Sequence, residues 1–288
     1  MTRYLVTGAG GMLGQDLQTA LARAAAGGRQ VTALTRAELD VTDRGAVRAA
    51  VAGHDVVMNA SAYTNVDGAE AHEDDAYAVN ALGVENLAIA AYEQGAKFLT
   101  ISTDYVFDGS GTMPYAEDAP RDPLNAYGRT KAAGEELALA ANPDGTFIVR
   151  TAWLYGEHGP NFAKTMLRLA GERETVSVID DQIGQPTWTA DLAAAIVQLL
   201  DAEAPAGTYH GTNSGQTSWF GFAQAVFEQA GLDPDRIVAT DSASFLRPAP
   251  RPSYSVLGHS GWARAGLAPL RDWREALAAA AAAGVLTP

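Results

Sequence analysis

The sequence predicts an α/β fold with a doubly wound parallel sheet and a small C-terminal α/β part. Three observations lead there. Short β-branched runs alternate with longer amphipathic segments through the first half of the chain. The first of these runs passes directly into a glycine-rich turn that opens a helix. The second half is less regular, yet no repeat or long linker separates it from the first. Alternation at this spacing implies right-handed β–α–β crossovers, which make a parallel sheet covered on both faces.

Strands are expected at 4–7, 30–34, 55–59, 97–101 and 146–150, where Val, Ile, Tyr and Thr collect between turn residues. Helices are expected at 12–25, 76–94 and 126–141, where apolar residues recur at helical spacing. Beyond residue 150 the pattern supports helices at 161–171, 189–200, 219–231 and 272–283. Short strands are expected at 175–179, 208–210 and 237–240, and the run RPAPRP (247–252) reads as a loop. The chain therefore divides into a dinucleotide-binding part over 1–150 and a smaller substrate-binding part over 151–288, packed on the first and interleaved with it.

Composition narrows the function. The 288 residues are 47% hydrophobic, enough for a sizeable core. With no cysteine, disulfides, thiolate metal sites and thiol nucleophiles are excluded. The five histidines are scattered without metal-ligand spacing. A net charge of −14 argues against nucleic acid as a partner, because duplex binding depends on neutralising phosphates. No run reaches the ~20 apolar residues that span a bilayer. The N-terminus reads as a first strand and not a signal peptide, so a cytoplasmic location is expected.

The glycine turn, Gly8 to Gly14, is the first functional signal. Gly8, Gly11 and Gly14 fit G-x-x-G-x-x-G, whereas Leu13 occupies the last glycine of the G-x-G-x-x-G version. A turn of this kind between strand and helix aims backbone amides and the positive end of a helix dipole at a pyrophosphate. That is a Rossmann-type dinucleotide site. The second strand ends in Thr35 and Arg36, where an acidic residue would favour NAD. A hydroxyl and a guanidinium suit a 2′-phosphate, though Arg36 is equally read as a solvated arginine. Asp40 and Asp43 follow. Either they meet the adenine edge or Asp43 caps the next helix.

The second signal is Tyr127 and Lys131, four residues apart on one helix face. A phenol is a poor acid at neutral pH, with an ordinary pKa of about 10. A neighbouring ammonium lowers that value, so Tyr127 is expected to deliver a proton to a developing alkoxide. The fourth strand ends in Ser102-Thr103-Asp104-Tyr105. Ligands of open parallel sheets lie beyond the carboxyl ends of strands, so these side chains should face the site. The Thr103 hydroxyl either polarises a substrate carbonyl or bonds the local backbone. In the Pro-rich loop, Arg247 and Arg251 are read either as surface residues or as partners for an anionic substrate, Arg251 first. The acidic run at 70–75 reads as a solvated loop and helix start, and Trp219 and Phe220 as core.

Four segments, TGAGGMLG, VNALGVENLA, ISTDYVFDG and YGRTK, occur in the order found in the extended short-chain dehydrogenases/reductases, and the chain resembles that family. NASAYTNVDGAE, RTAWLYGEHGPNF and DQIGQPT make it similar, within the family, to the dTDP-4-dehydrorhamnose reductases. The resemblance covers nearly the whole chain, weakening after about residue 235. It implies NADPH-dependent reduction of the 4-keto group of dTDP-4-dehydro-L-rhamnose to dTDP-L-rhamnose, the last step to the activated rhamnose used in cell-surface polysaccharide, with NADH as a possible substitute. It further implies that Gly10, Gly11 and Met12 lie along the pyrophosphate, Asp40 and Val41 near adenine, and Ala62, Tyr63 and Thr64 along the cofactor. By the same resemblance Thr103 and Asp104 contact the sugar and Trp153 packs on it. Tyr127 is then the proton donor, and Lys131 holds the nicotinamide ribose.

Some relatives dimerise around a magnesium ion held by glutamates, one of them just after the glycine turn. Gln15 stands at that place, a weaker ligand for a hard cation, which argues against a metal-linked dimer and leaves monomer or homodimer open. Two rival functions remain: a sugar-nucleotide 4-epimerase that retains NAD, and a non-catalytic regulatory subunit, against which the intact Tyr127, Lys131 and Thr103 argue.

Overall fold

The structure, a computed structural model, describes residues 1–24 and 28–286. The chain runs β1 (Thr2–Thr7), α1 (Met12–Arg23), β2 (Arg29–Leu34), α2 (Arg44–Val51), β3 (Val56–Asn59), α3 (Val66–Ala71) and α4 (Glu73–Tyr77). A π-helical turn (Ala78–Leu82) leads into α5 (Gly83–Gln94), β4 (Lys97–Thr103), α6 (Ala126–Ala141), β5 (Thr146–Thr151) and β6 (Leu154–Tyr155). Then come α7 (Phe162–Glu172), β7 (Val176–Ile179), β8 (Ile183–Gly184), β9 (Thr187–Trp188), α8 (Thr189–Asp201) and β10 (Gly207–His210). The chain closes with β11 (Thr217–Ser218), α9 (Trp219–Gln229), β12 (Ile237–Thr240), α10 (Ser260–Arg264) and α11 (Trp273–Ala282).

Six strands form the expected parallel sheet in the order β10-β5-β4-β3-β1-β2. The chain leaves β1 toward β2 on one side and returns to β3 on the other, so strand order reverses between β1 and β3. Ligand crevices of open α/β sheets open at such a switch point. Alternation along β1 feeds both faces. Tyr4 and Val6 join a core with Leu13, Leu17 and Leu21 of α1 and Leu192, Ile196 and Leu199 of α8. Leu5 joins Val47 and Val51 of α2, Leu87 of α5 and Ala138 of α6 on the opposite face.

A separate core, with Tyr155, Met166, Val176, Phe222, Val226 and Leu277, belongs to the C-terminal part. That part is interleaved with the first, since β10 completes the main sheet and α8 packs on α1. Among the described residues no helix is long and apolar enough to cross a membrane.

Most predicted elements are present with shifted ends. β4 and β5 run on to Thr103 and Thr151, which carries both strands into the site. The first helix ends at Arg23, and the predicted Ala25 lies outside the described residues. The expected helix 76–94 is three pieces, because α4 starts at Glu73 and a π turn intervenes before α5. Asp43 is the N-cap of α2, accepting from the amides of Gly45 and Ala46 at 2.9 and 3.0 Å, which settles its two readings in favour of the cap. The acidic run at 70–75 is mostly exposed and holds the start of α4, as expected, but two of its residues also bond to α6. Glu70 accepts the Ala126 amide that opens α6, 2.8 Å, and Glu73 pairs with Arg129, 2.7 Å.

Candidate active site

One cavity of about 1250 Å³ opens along the carboxyl ends of the strands. Its wall gathers the residues singled out from the sequence: Gly8, Gly10, Gly11, Met12 and Gly14, then Thr35, Arg36, Asp40 and Val41, then Ala62, Tyr63 and Thr64. Thr103, Asp104, Tyr127, Lys131 and Trp153 complete it. It exceeds the roughly 300–1,000 Å³ of a site for one drug-sized ligand, so it has room for a dinucleotide beside a second molecule.

The glycine turn fits a pyrophosphate. A Cβ on Gly14 would lie 2.2 Å from the Gly8 carbonyl oxygen, so only glycine lets α1 start this close to β1. A Cβ on Gly10 would make only ordinary contact, 3.5 Å, with Thr35 Cγ2. No side chain caps α1, leaving the amides of its first turn available to an anion.

The end of β2 departs from expectation. Thr35 is not a free hydroxyl, because it donates to Glu38 Oε2 at 2.7 Å and its amide donates to the same oxygen at 2.8 Å. The turn after Leu34 brings Glu38 back onto the strand end, so an acidic group does stand there, three residues later than the sequence pattern suggested. Those two hydrogen bonds hold the Glu38 carboxyl below the usual carboxylate range. Arg36 remains exposed on the cavity wall. Asp40 is engaged locally, accepting from the Thr42 amide and hydroxyl at 2.9 and 2.8 Å.

Beyond β3 the wall is held by a rung of polar side chains. Thr7 donates to Asn59, 2.8 Å, and Asn59 donates to Thr100, 3.1 Å, which ties the last residues of β1 and β3 to the middle of β4. Asn80 clamps the next segment, accepting from the Tyr63 amide at 2.8 Å and donating to its carbonyl and to Thr130 at 3.1 Å each. The π turn delivers Asn80 there. The only sequence signal was an asparagine inside an apolar helical run, and it was missed.

The catalytic candidates lie where β4 meets α6. Asn125 caps α6 by accepting from Gly128, 2.8 Å, and sets Tyr127 in the first turn. Burial and the Asp104 carboxylate push the Tyr127 phenol up to about 12, with Thr103 pulling the other way. Lys131 is 4% exposed and donates to the Ile101 carbonyl at 2.6 Å. Burial pulls its ammonium down to about 8, against the attraction of Glu135. Lys131 is not among the groups that move the Tyr127 phenol, and burial and Asp104 hold its proton more tightly. The consequence is a phenol that is fully protonated at neutral pH, able to donate to an alkoxide.

Thr103 donates to Asp104 Oδ1, 2.9 Å, and accepts from the Tyr105 amide, 3.2 Å. Asp104 is 3% exposed, and burial raises its carboxyl to about 6. Its Oδ2 is buried with no hydrogen bond among the described residues. Tyr105 meets Tyr127 edge-on, with ring centroids 6.0 Å apart. Ser102 borders the cavity and donates to Glu135, 2.5 Å.

Two residues differ in part from expectation. Arg251 does not line the cavity. It pairs with Asp67, 3.1 Å, and bonds the Ala249 carbonyl, 2.9 Å, and its charge is felt at Tyr105. Arg247 pairs with the same Asp67 at 3.4 Å and is exposed. Trp219, read as core, does pack on the C-terminal core and also forms part of the cavity wall, where it stacks on Trp153. Gln15 braces the glycine turn by donating to the Gly10 carbonyl, 3.1 Å. The acid on that helix is the next residue, Asp16, which is buried beside a second cavity of about 610 Å³. Among the described residues no group of three acidic or histidine side chains is placed to hold a metal ion.

Comparison with known proteins agrees with this geometry. Residues 2–285 match the family model described as the RmlD substrate binding domain. A dTDP-4-dehydrorhamnose reductase of Streptomyces griseus is 53% identical over 96% of this chain and 91% of its own length. A dTDP-4-keto-6-deoxy-D-glucose reductase of Streptomyces niveus is 49% identical over 96% of this chain and 95% of its own. The crystal structure of a Bacillus anthracis dTDP-4-dehydrorhamnose reductase in complex with NADP superposes with a TM-score of 0.92, at 39% identity, over 97% of this chain and 99% of that one. The chain belongs to the dTDP-4-dehydrorhamnose reductase family of the extended short-chain dehydrogenases/reductases.

Proposed function

We propose that this protein reduces the 4-keto group of dTDP-4-dehydro-L-rhamnose to give dTDP-L-rhamnose, with NADPH as reductant, in nucleotide-sugar and polysaccharide biosynthesis. The observation that carries this reading is the convergence of the glycine turn, Thr103, Tyr127 and Lys131 on one cavity large enough for two ligands. When bound, the reduced nicotinamide supplies a hydride equivalent to the keto carbon.

The chain's residues do the rest. The free amides at the start of α1 and its dipole hold the pyrophosphate. Asp40 and Val41 border the adenine, and Ala62, Tyr63 and Thr64 form the wall that Asn80 keeps in place. Arg36 supplies positive charge for a 2′-phosphate and so favours NADPH, while Glu38 beside it tempers that preference and leaves NADH usable. Lys131 holds the nicotinamide ribose. Thr103 hydrogen-bonds the sugar with Asp104 behind it, and Trp153 packs on the pyranose. Charge that develops on the keto oxygen is neutralised by the phenolic proton of Tyr127. Arg251, next to Tyr105, draws the substrate diphosphate toward the mouth of the cavity once it exchanges Asp67 for the phosphate.

The test is NADPH oxidation with a panel of 4-keto sugar nucleotides. Stoichiometric oxidation with dTDP-4-dehydro-L-rhamnose is expected. Tightly retained NAD with no net NADPH consumption would replace this reading with the epimerase.

A further inference from the structure

The aromatic part of the cavity wall, Trp153 and Trp219, and the residues packed against it come from four separated pieces of chain. Trp153 follows β5, Phe162 opens α7, Gly184 lies in β8 and Trp219 opens α9. The two indoles stack with centroids 3.6 Å apart and planes within 11°. Phe162 leans on Trp219 with centroids 4.6 Å apart. At Gly184 the backbone approaches Trp153 so closely that a Cβ would lie 2.5 Å from Cε2 and Cζ2 of the indole. Thr217 of β11 pairs with Gly184 and Ser218 with Ile183, so this small ladder places Trp219 next to the strand that presses on Trp153.

Trp153 also has a backbone φ of 45°, in the left-handed region where a bulky side chain is strained. Such strain persists only where the surroundings over-determine it, and it gathers at ligand sites. A ring needed only to fill the core has no use for it. Both indoles border the cavity and both are only half-buried.

We propose that Trp219 is a specificity-determining residue, the second plate of a two-indole platform that fixes the plane on which the pyranose of the sugar nucleotide lies. The inference rests on the sugar contact assigned to Trp153 above. A pyranose presents an apolar face of C–H bonds that packs against a flat ring, and such a contact is selective only while the ring is held still. Trp153 has no room on the Gly184 side, and Trp219 removes the freedom that remains.

The test uses the full-length enzyme with NADPH and dTDP-4-dehydro-L-rhamnose. Trp219→Leu and Gly184→Ala act on the platform from its two sides. Each is expected to raise the sugar-nucleotide KM about tenfold, the weight of a well-placed aromatic contact, while the NADPH KM stays within about twofold. Trp219→Phe keeps a flat plate and should recover most of the affinity. The stacked indoles should give an exciton couplet in far-ultraviolet circular dichroism, lost in Trp219→Leu and Trp153→Leu and altered in Gly184→Ala.

An unchanged sugar KM in folded Trp219→Leu, alongside a raised KM in Trp153→Leu, would overturn the role of Trp219 and leave the Trp153 contact standing. An unchanged KM in Trp153→Leu would remove both. If Trp219→Leu does not fold, Gly184→Ala decides, and an altered couplet with an unchanged KM overturns the platform.

Discussion

Tyr127 is a buried phenol whose proton is held more tightly than in water. That suits a donor that must stay loaded until an alkoxide forms beside it. Tyr127→Phe keeps the ring and its edge-on contact with Tyr105. It should lower kcat by about 10²–10⁴-fold, the usual weight of a positioned general acid, with little change in cofactor binding. Single-turnover measurement of the chemical step would show this, and a near-normal rate there would move the proton to Tyr105. Lys131 gives a pH-dependent prediction. Its ammonium, normally at 10.5, is brought down to about 8, so the charged form is complete well below that pH and is lost as pH rises through it. If the ammonium holds the cofactor ribose, the NADPH Kd of wild-type enzyme should rise through pH 8, and that of Lys131→Met should be weaker but flat. A flat wild-type profile would take the ammonium out of cofactor binding.

At the scale of elements, α6 carries more than its proposed catalytic pair. One turn past Lys131 stands Glu135, 1% exposed, held by Arg150 of β5 at 2.8 and 2.7 Å, by Ser102 of β4, and by Arg121 at 3.2 Å. The Arg150 guanidinium keeps the Glu135 carboxyl below the usual carboxylate range despite burial. Arg150 in turn donates to the Glu117 carbonyl, 3.0 Å. Glu135→Gln strands Arg150 in the interior and should cost about 3–5 kcal/mol of stability, read from denaturant unfolding. The double variant Glu135→Gln with Arg150→Met should recover stability, yet the alkaline limb of kcat/KM should still lie below that of wild type. Tyr127, Lys131 and Glu135 face the groups of β4 and β5 together with Asp104 and Tyr105, so a limb that does not move would mean these neighbours and not Glu135 govern Lys131.

That Tyr127 and Lys131 of α6 share the cavity wall was legible because a helix repeats every 3.6 residues and their chemistry is distinctive. Glu135 was not, because a lone glutamate on a helix looks the same in sequence whether it meets solvent or a buried arginine from another strand. Asn80 was hidden for a related reason. The π turn that aims it adds a residue to the helical period, and periodicity alone averages over it. Glu38 and the cavity-facing side of Trp219 were not visible because a turn and a stack between distant segments are set by tertiary contacts that local pattern does not encode. The parallel sheet of the first half was recoverable from spacing, as were β7, β10 and β12, whereas the two-residue strands β6, β8, β9 and β11 were too short to leave a pattern.

For the whole molecule, β10 matters most. It lies more than fifty residues beyond β5 in the chain, yet it pairs with it in register, Gly207 with Phe147 through His210 with Arg150. All six residues of β5 are buried in the finished protein. During synthesis the first five strands emerge well before residue 207, so until then β5 is the open edge of a growing sheet, an apolar template for pairing with other chains. A fragment ending at residue 200 should therefore sediment as aggregate on expression at concentrations where the full chain stays in solution, and a soluble, cooperatively unfolding fragment would show that β5 guards its own edge. The same reasoning places the vulnerable interval of this enzyme's life on the ribosome, where holding the nascent chain apart from its neighbours governs yield more than the stability of the final fold.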